Sequence, residues 1–102
     1  MEIRILELAK EDLREAWKFY DKSSPGLGDY FLDCIQADVS SLEKFAGIHE
    51  VIAGFHRMLV KRFPFAVYYL IESQTVDVFA VLDCRRDPGW IAKRLDSSRI
   101  DP

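Results

Sequence analysis

The chain is 102 residues long, 49% apolar and weakly acidic, with 14 Lys/Arg against 17 Asp/Glu. That length supports one modest hydrophobic core, so a single domain over residues 1–102 is expected, ordered from about residue 3 to about residue 95. No run approaches the roughly 18 uncharged apolar residues of a membrane helix, and Met1-Glu2-Ile3-Arg4 lacks the basic-then-apolar order of a signal peptide, which predicts a soluble cytoplasmic protein without membrane contact.

Met1 to Leu8 carries Ile3, Ile5, Leu6 and Leu8, which suits a short first strand. Ala9, Leu13, Ala16, Trp17 and Tyr20 then recur at three- and four-residue spacing, with Lys10, Glu11, Arg14, Glu15 and Lys18 between them, which predicts an amphipathic helix ending near Ser23. Ser24-Pro25 reads as a cap followed by a first helical proline. From there Leu27, Phe31, Ile35, Val39, Leu42 and Ala46 form one stripe, predicting a second helix of about 20 residues that folds back on the first.

Gly47 to Phe55 reads as a connector. Three strands are predicted after it, His56 to Phe63, Ala66 to Glu72 and Thr75 to Asp83, broken at Pro64-Phe65 and Ser73-Gln74. In the last, alternation places Val76, Val78, Ala80 and Leu82 on the face toward the helices and Asp77, Phe79, Val81 and Asp83 on the other. Asp87-Pro88 repeats the cap-then-proline pattern before a short helix carrying Trp90, Ile91, Arg94 and Leu95, which is expected to fray from Asp96 onward. The order β-α-α-β-β-β-α implies an α+β domain with a helical hairpin on one face of a mainly antiparallel sheet.

The two cysteines, Cys34 and Cys84, suit neither a disulfide scaffold nor a zinc-ligand pair and are expected to be reduced, small and buried. His49 and His56 lie seven apart without acids or cysteines at metal-site spacing, so no metal and no cofactor are expected. Residues 1–50 hold 6 Lys/Arg against 11 Asp/Glu, net −5, and residues 51–102 hold 8 against 6, net +2. The later cations cluster as Arg57, Lys61 and Arg62, then Arg85 and Arg86, which are the candidates for contact with a target. A strongly basic surface is what affinity for a nucleic-acid backbone usually needs, and the overall charge here argues against bulk RNA binding.

Several segments carry a resemblance. Phe19-Tyr20, Pro25-Gly26-Leu27-Gly28, Phe31-Leu32, Arg62-Phe63-Pro64-Phe65-Ala66-Val67-Tyr68-Tyr69, and Val81-Leu82 followed by Arg85-Arg86-Asp87-Pro88 together resemble the RelE/ParE toxins of bacterial plasmid-stabilisation systems. The resemblance implies a growth-inhibiting toxin of a type II toxin–antitoxin pair, held inactive by a cognate antitoxin as a hetero-oligomer or homodimer. Its members either inhibit DNA gyrase or cleave messenger RNA on the ribosome.

Metal-free RNA cleavage needs a group that activates the 2′-hydroxyl, cations at the phosphate and an acid for the leaving oxygen. Asp83-Cys84 stands where many relatives read His-Gly, and no Tyr or His follows Arg86. The catalytic residue of a nuclease is therefore not identifiable, His56 being the one nearby candidate. Binding of a protein target such as gyrase is the preferred expectation. A ribosome-dependent endoribonuclease and a decayed toxin that retains only antitoxin binding are the alternatives. Phe79 and Val81, expected on the sheet face away from the hairpin, and Trp90 beside them are the candidates for antitoxin contact.

Overall fold

The computed structural model describes residues 1–100, with nothing stated for the side chains of residues 99 and 100. The elements are β1 (Glu2–Ile5), α1 (Glu7–Ser23), α2 (Leu27–Ser40), α3 (Leu42–Phe45), β2 (Val51–Ile52), β3 (Phe55–Leu59), β4 (Phe65–Glu72), β5 (Thr75–Asp83) and α4 (Pro88–Ile100). The sheet runs β1-β5-β4-β3-β2, parallel between β1 and β5 and antiparallel elsewhere. The α+β hairpin-on-sheet architecture is as expected. Among the described residues no helix is long and apolar enough to cross a membrane.

The turn between α1 and α2 differs from the expected cap. Ser24 closes α1, its N–H bonding the Tyr20 carbonyl, and the N–H of Leu27 bonds the Ser24 carbonyl at 3.0 Å. Gly26, at φ 90° and ψ −15°, takes the third position of a type II turn with Pro25 before it. The Asp21 carboxylate then accepts the N–H groups of Gly26 and Gly28 at 2.9 and 3.3 Å, doing the capping that Ser24 was expected to do.

The single long second helix is two pieces. The Ser41 hydroxyl donates to the Asp38 carbonyl at 2.6 Å and its N–H bonds the same carbonyl at 3.2 Å, a three-residue spacing that tightens the turn before α3. The connector contains the unexpected β2, because Ala53 at φ 53° and Gly54 at φ 85° make the two-residue turn that returns the chain into β3. β3 stops at Leu59, short of Phe63, since the Lys61 N–H turns away to Asp38 Oδ2 at 2.9 Å. Asp87 caps α4 as expected, accepting the Trp90 N–H at 3.1 Å, and the helix continues past Asp96 to Ile100.

Both sheet faces are covered. Phe31, Ile35 and Val39 of the hairpin and Leu42 of α3 pack on Met58, Phe65, Val67, Tyr69, Val76, Val78 and Val81. On the far face Leu95, with Ile91 beside it, packs on Phe55, Ala66, Tyr68, Ala80 and Leu82. Ala80 and Leu82 thus face α4, and Val81 faces the hairpin, the reverse of the simple alternation. The cause is a β-bulge: Tyr68 pairs with Ala80 but Tyr69 pairs with Val78, leaving Phe79 as an extra residue that shifts the parity of everything after it.

The bulge leaves backbone groups to be satisfied beyond the end of β1, which pairs with β5 only as far as Val78. Asp12 of α1 accepts the Val81 N–H at 3.0 Å, and Arg94 of α4 donates to the Phe79 carbonyl at 3.3 Å. The two side chains also pair with each other at 2.7 and 3.3 Å, and Arg94 bonds the Ser98 hydroxyl. Both are 13% exposed, so this is a charge pair largely removed from water. Burial raises the Asp12 carboxyl to about 6, against the opposing pull of the Val81 N–H and Arg94.

Gly28 marks the closest approach of the hairpin. A β-carbon there would lie 2.7 Å from Trp17 Cδ1 and 2.8 Å from the Trp17 carbonyl oxygen. An alanine gains about 1 kcal/mol in helix propensity, but backbone cannot yield as a side-chain tip can. Gly28→Ala is therefore expected to destabilise the fold by about 1–2 kcal/mol, measured as a lowered urea midpoint. Asp12 gives a second expectation. A carboxyl whose folded pKa lies above its unfolded one binds a proton more tightly in the folded state, so its contribution favours folding as pH falls through about 6 toward 4 and is lost as pH rises. The melting-temperature difference between wild type and Asp12→Asn should therefore shift in favour of wild type between pH 7.5 and pH 5.

Candidate functional site

The candidate cations do not form one cluster. Arg57 points to the far face, because it pairs across the sheet with Tyr68 while His56 pairs with Tyr69 on the hairpin side. Its Nη2 donates to Glu50 at 2.7 Å, and its Nε is buried without a hydrogen-bond partner among the described residues. Burial raises the Tyr68 hydroxyl and the Cys84 thiol, and the Arg57 guanidinium pulls each back down less strongly. Cys84 is thus neutral around pH 7 and, contrary to expectation, exposed; Cys34 is half-buried, and both are free.

Lys61 and Arg62 lie elsewhere. Since β3 ends at Leu59, alternation no longer ties Lys61 to the face of Arg57. Both line a cleft of about 310 Å³ against α2, with Tyr30, Cys34 and Asp38. Arg62 reaches the Tyr30 hydroxyl of α2 at 3.4 Å.

Arg85 and Arg86 follow β5 and have different partners. Arg85 grips Asp83 through Nε at 3.0 Å and Nη2 at 2.8 Å, with its own N–H also on Asp83 at 2.8 Å. That pairing holds the Asp83 carboxyl below its usual range and neutralises the acid that stood beside the basic pair. The Arg86 guanidinium lies 3.9 Å over the Trp90 ring. Trp90, Arg86 and Asp83 form one wall of a cleft of about 270 Å³ whose other wall is α1, with Asp12, Glu15, Phe19 and Tyr20. Phe19 and Trp90, at 62% and 38% exposed, offer large apolar surface at its mouth.

Of the apolar candidates, Trp90 is accessible and Phe79 is partly so, its ring 5.2 Å from Phe55. Val81 is 2% exposed and turned toward the hairpin by the bulge, so it is not available to a partner. His56 lies on the sheet face opposite Arg57: its ring stacks on Tyr69 at 5.0 Å, and its Nδ1–H donates to the His49 carbonyl at 2.9 Å. The residues that sequence reasoning missed are Asp12, Glu15 and Phe19. Their spacing on one flank of α1 was a visible signal, but nothing local tied that flank to Arg86 and Trp90 some 70 residues later.

The sequence profile described as the ParE toxin of the type II toxin–antitoxin system parDE matches residues 3–88. A solved structure described as the chromosomal ParDE toxin–antitoxin system from P. aeruginosa superposes with a TM-score of 0.72 at 17% identity, covering 79% of this chain and 92% of that one, a likeness of fold. No curated protein matches the sequence. With the profile spanning β1 to the start of α4 and the hairpin-on-sheet fold in agreement, the chain belongs to the ParE toxin family and is the toxin component of a type II toxin–antitoxin system.

Proposed function

We propose that this toxin arrests growth in the cytoplasm by binding a protein target, DNA gyrase being the preferred one, and that a cognate antitoxin holds it inactive as a hetero-oligomer. The observation that carries this reading is the exposed arginine and aromatic rim of the cleft between α1 and the start of α4. Arg86 stands beside exposed Trp90 and Phe19, with Arg85 next to it in the chain, whereas the His56 ring is stacked on Tyr69 and Tyr68 is 2% exposed. An aromatic and arginine rim around a cleft is the composition of a protein-binding hot spot, where a few such residues carry most of the affinity. The antitoxin is proposed to cover Trp90, with Phe79 behind it, and so mask Arg86.

One observation favours endoribonuclease activity as a second reading. Arg57, whose buried Nε has no hydrogen-bond partner among the described residues, lies near Tyr68 and Cys84, and its partly exposed guanidinium offers a cation to an anionic oxygen. The neutral thiol and the raised Tyr68 hydroxyl leave no group there poised to take a proton near pH 7, which is why this reading ranks second.

Inducing the chain without its antitoxin separates the two. Loss of gyrase supercoiling with intact transcripts is expected; codon-register cuts in ribosome-bound transcripts with normal supercoiling would establish the nuclease, and normal growth with neither effect would leave a decayed toxin. Arg86→Ala is expected to weaken target binding about 30-fold, the loss of one hot-spot arginine at about 2 kcal/mol. His56→Ala should leave toxicity unchanged, and this pair of variants is read by growth and by supercoiling in the same cells.

A further inference from the structure

Residues 46–54 join α3 to β3, and one buried hydroxyl holds that connector to the sheet. Tyr69 of β4 is fully buried, and burial raises its hydroxyl, so it is a neutral phenol with one hydrogen to donate. Its oxygen accepts the Gly47 N–H at 2.9 Å, and the His49 N–H acts on the same oxygen. Both of those groups are donors. The hydroxyl hydrogen therefore goes to the remaining partner, His49 Nδ1 at 2.6 Å, which fixes His49 as the neutral tautomer with its hydrogen on Nε2.

His56 is bonded in the opposite sense. Its Nδ1 meets the His49 carbonyl at 2.9 Å, and a carbonyl only accepts, so this nitrogen carries its hydrogen whether the ring is neutral or charged. Protonating His56 leaves its bond intact. Protonating His49 instead puts a hydrogen on Nδ1, facing a hydroxyl that already accepts, and leaves the Tyr69 hydrogen without an acceptor inside the core. We propose that His49 is an acid-operated latch, which when neutral fastens the connector and the edge strand β2 to Tyr69 and on taking a proton releases them.

The surroundings set the direction of the switch. The His49 ring is half-buried and makes no ion pair among the described residues. Facing it are Tyr69 from β4 and His56 from β3, whose ring stacks on Tyr69 at 5.0 Å. Glu43 and Lys44 of α3 are exposed, and Glu50, next in the chain, is turned to Arg57 at 2.7 Å. Burial, and then the charge of His56, hold the His49 imidazole below its ordinary range. A histidine that binds its proton less tightly folded than unfolded contributes stability that is present above about pH 6.5 and lost as pH falls through the folded value. The latch is thus closed at neutral pH and opens in mild acid. Asp12 responds to acid in the opposite sense, so the two effects are separable.

Little else fastens this segment. Ile48 and Val51 are 73% and 60% exposed, and β2 is two residues long. Beyond the Tyr69 contacts, the ties are the His56–His49 bond, the Glu50–Arg57 pair and the pairing of β2 with β3. A segment so sparsely held opens locally without unfolding the domain.

The test is hydrogen exchange of the full chain at pH 7.5 and pH 5.0, read by mass spectrometry and corrected for intrinsic rates. Protection of residues 47–52 is expected to fall about 10-fold in acid, the scale of one buried hydroxyl losing its acceptor, while β4 and β5 keep theirs. His49→Gln, whose amide oxygen accepts at either pH, should stay protected and lose the response. His56→Gln should retain the response, and Tyr69→Phe should be loose at both pH values. Nitrogen NMR at pH 7.5 should place the His49 hydrogen on Nε2. Equal protection of residues 47–52 at the two pH values, a response that survives His49→Gln or vanishes with His56→Gln, a hydrogen on His49 Nδ1 at pH 7.5, or acid loss of protection throughout the sheet would each overturn the proposal.

Discussion

The architecture depends on how the extra residue in β5 is accommodated. A bulge at Phe79 unpairs backbone groups beyond the reach of β1, in a strand that is buried on both faces. Unmet polar groups in such a place would cost more than the packing around them returns. Asp12 and Arg94 meet them, one from each side of the sheet, and meet each other. One charge pair thereby ties α1, β5 and α4 together across 82 residues of sequence.

The bulge also decides what the two faces are. Before it, Val76 and Val78 point to the hairpin; after it, Val81 does, and Ala80 and Leu82 are delivered to α4. Without the shift of parity the small Ala80 would face the hairpin and Val81 would face α4. With it, the far face gains a second small core under Leu95, and α4 lies where its first turn brings Trp90 against Arg86. The rim is therefore a consequence of the same irregularity that organises the core, since α4 is oriented by Arg94 one helical turn beyond Trp90.

Charge is distributed by role. The acids of α1 and α2 include several with structural tasks: Asp21 caps α2, Asp29 holds Trp17, Asp38 anchors the chain after β3, and Asp12 serves the bulge. The net acidity of the first half thus does not describe the surface of the hairpin, where the cations of α1 line a groove. Likewise Asp83, beside the basic pair in sequence, is engaged by Arg85.

The fold class and the order of the principal elements, though not β2 or the break before α3, were legible in the sequence because hydrophobic periodicity and proline or glycine punctuation act locally. The stripes through Phe31, Ile35 and Val39, the span Thr75–Asp83 and the cap at Asp87 all rest on neighbours within a turn or a strand. The family resemblance was legible for a related reason, as several short segments in a fixed order. What only the tertiary structure decided were the long-range pairings. The sidedness of β5 beyond Phe79 depends on its register with β4, the end of β3 on Asp38 of α2, and the cleft around Arg86 on an α1 face remote in sequence. A periodicity argument assumes an unbroken strand, and one inserted residue, tolerated because two distant side chains satisfy its backbone, reverses every assignment after it.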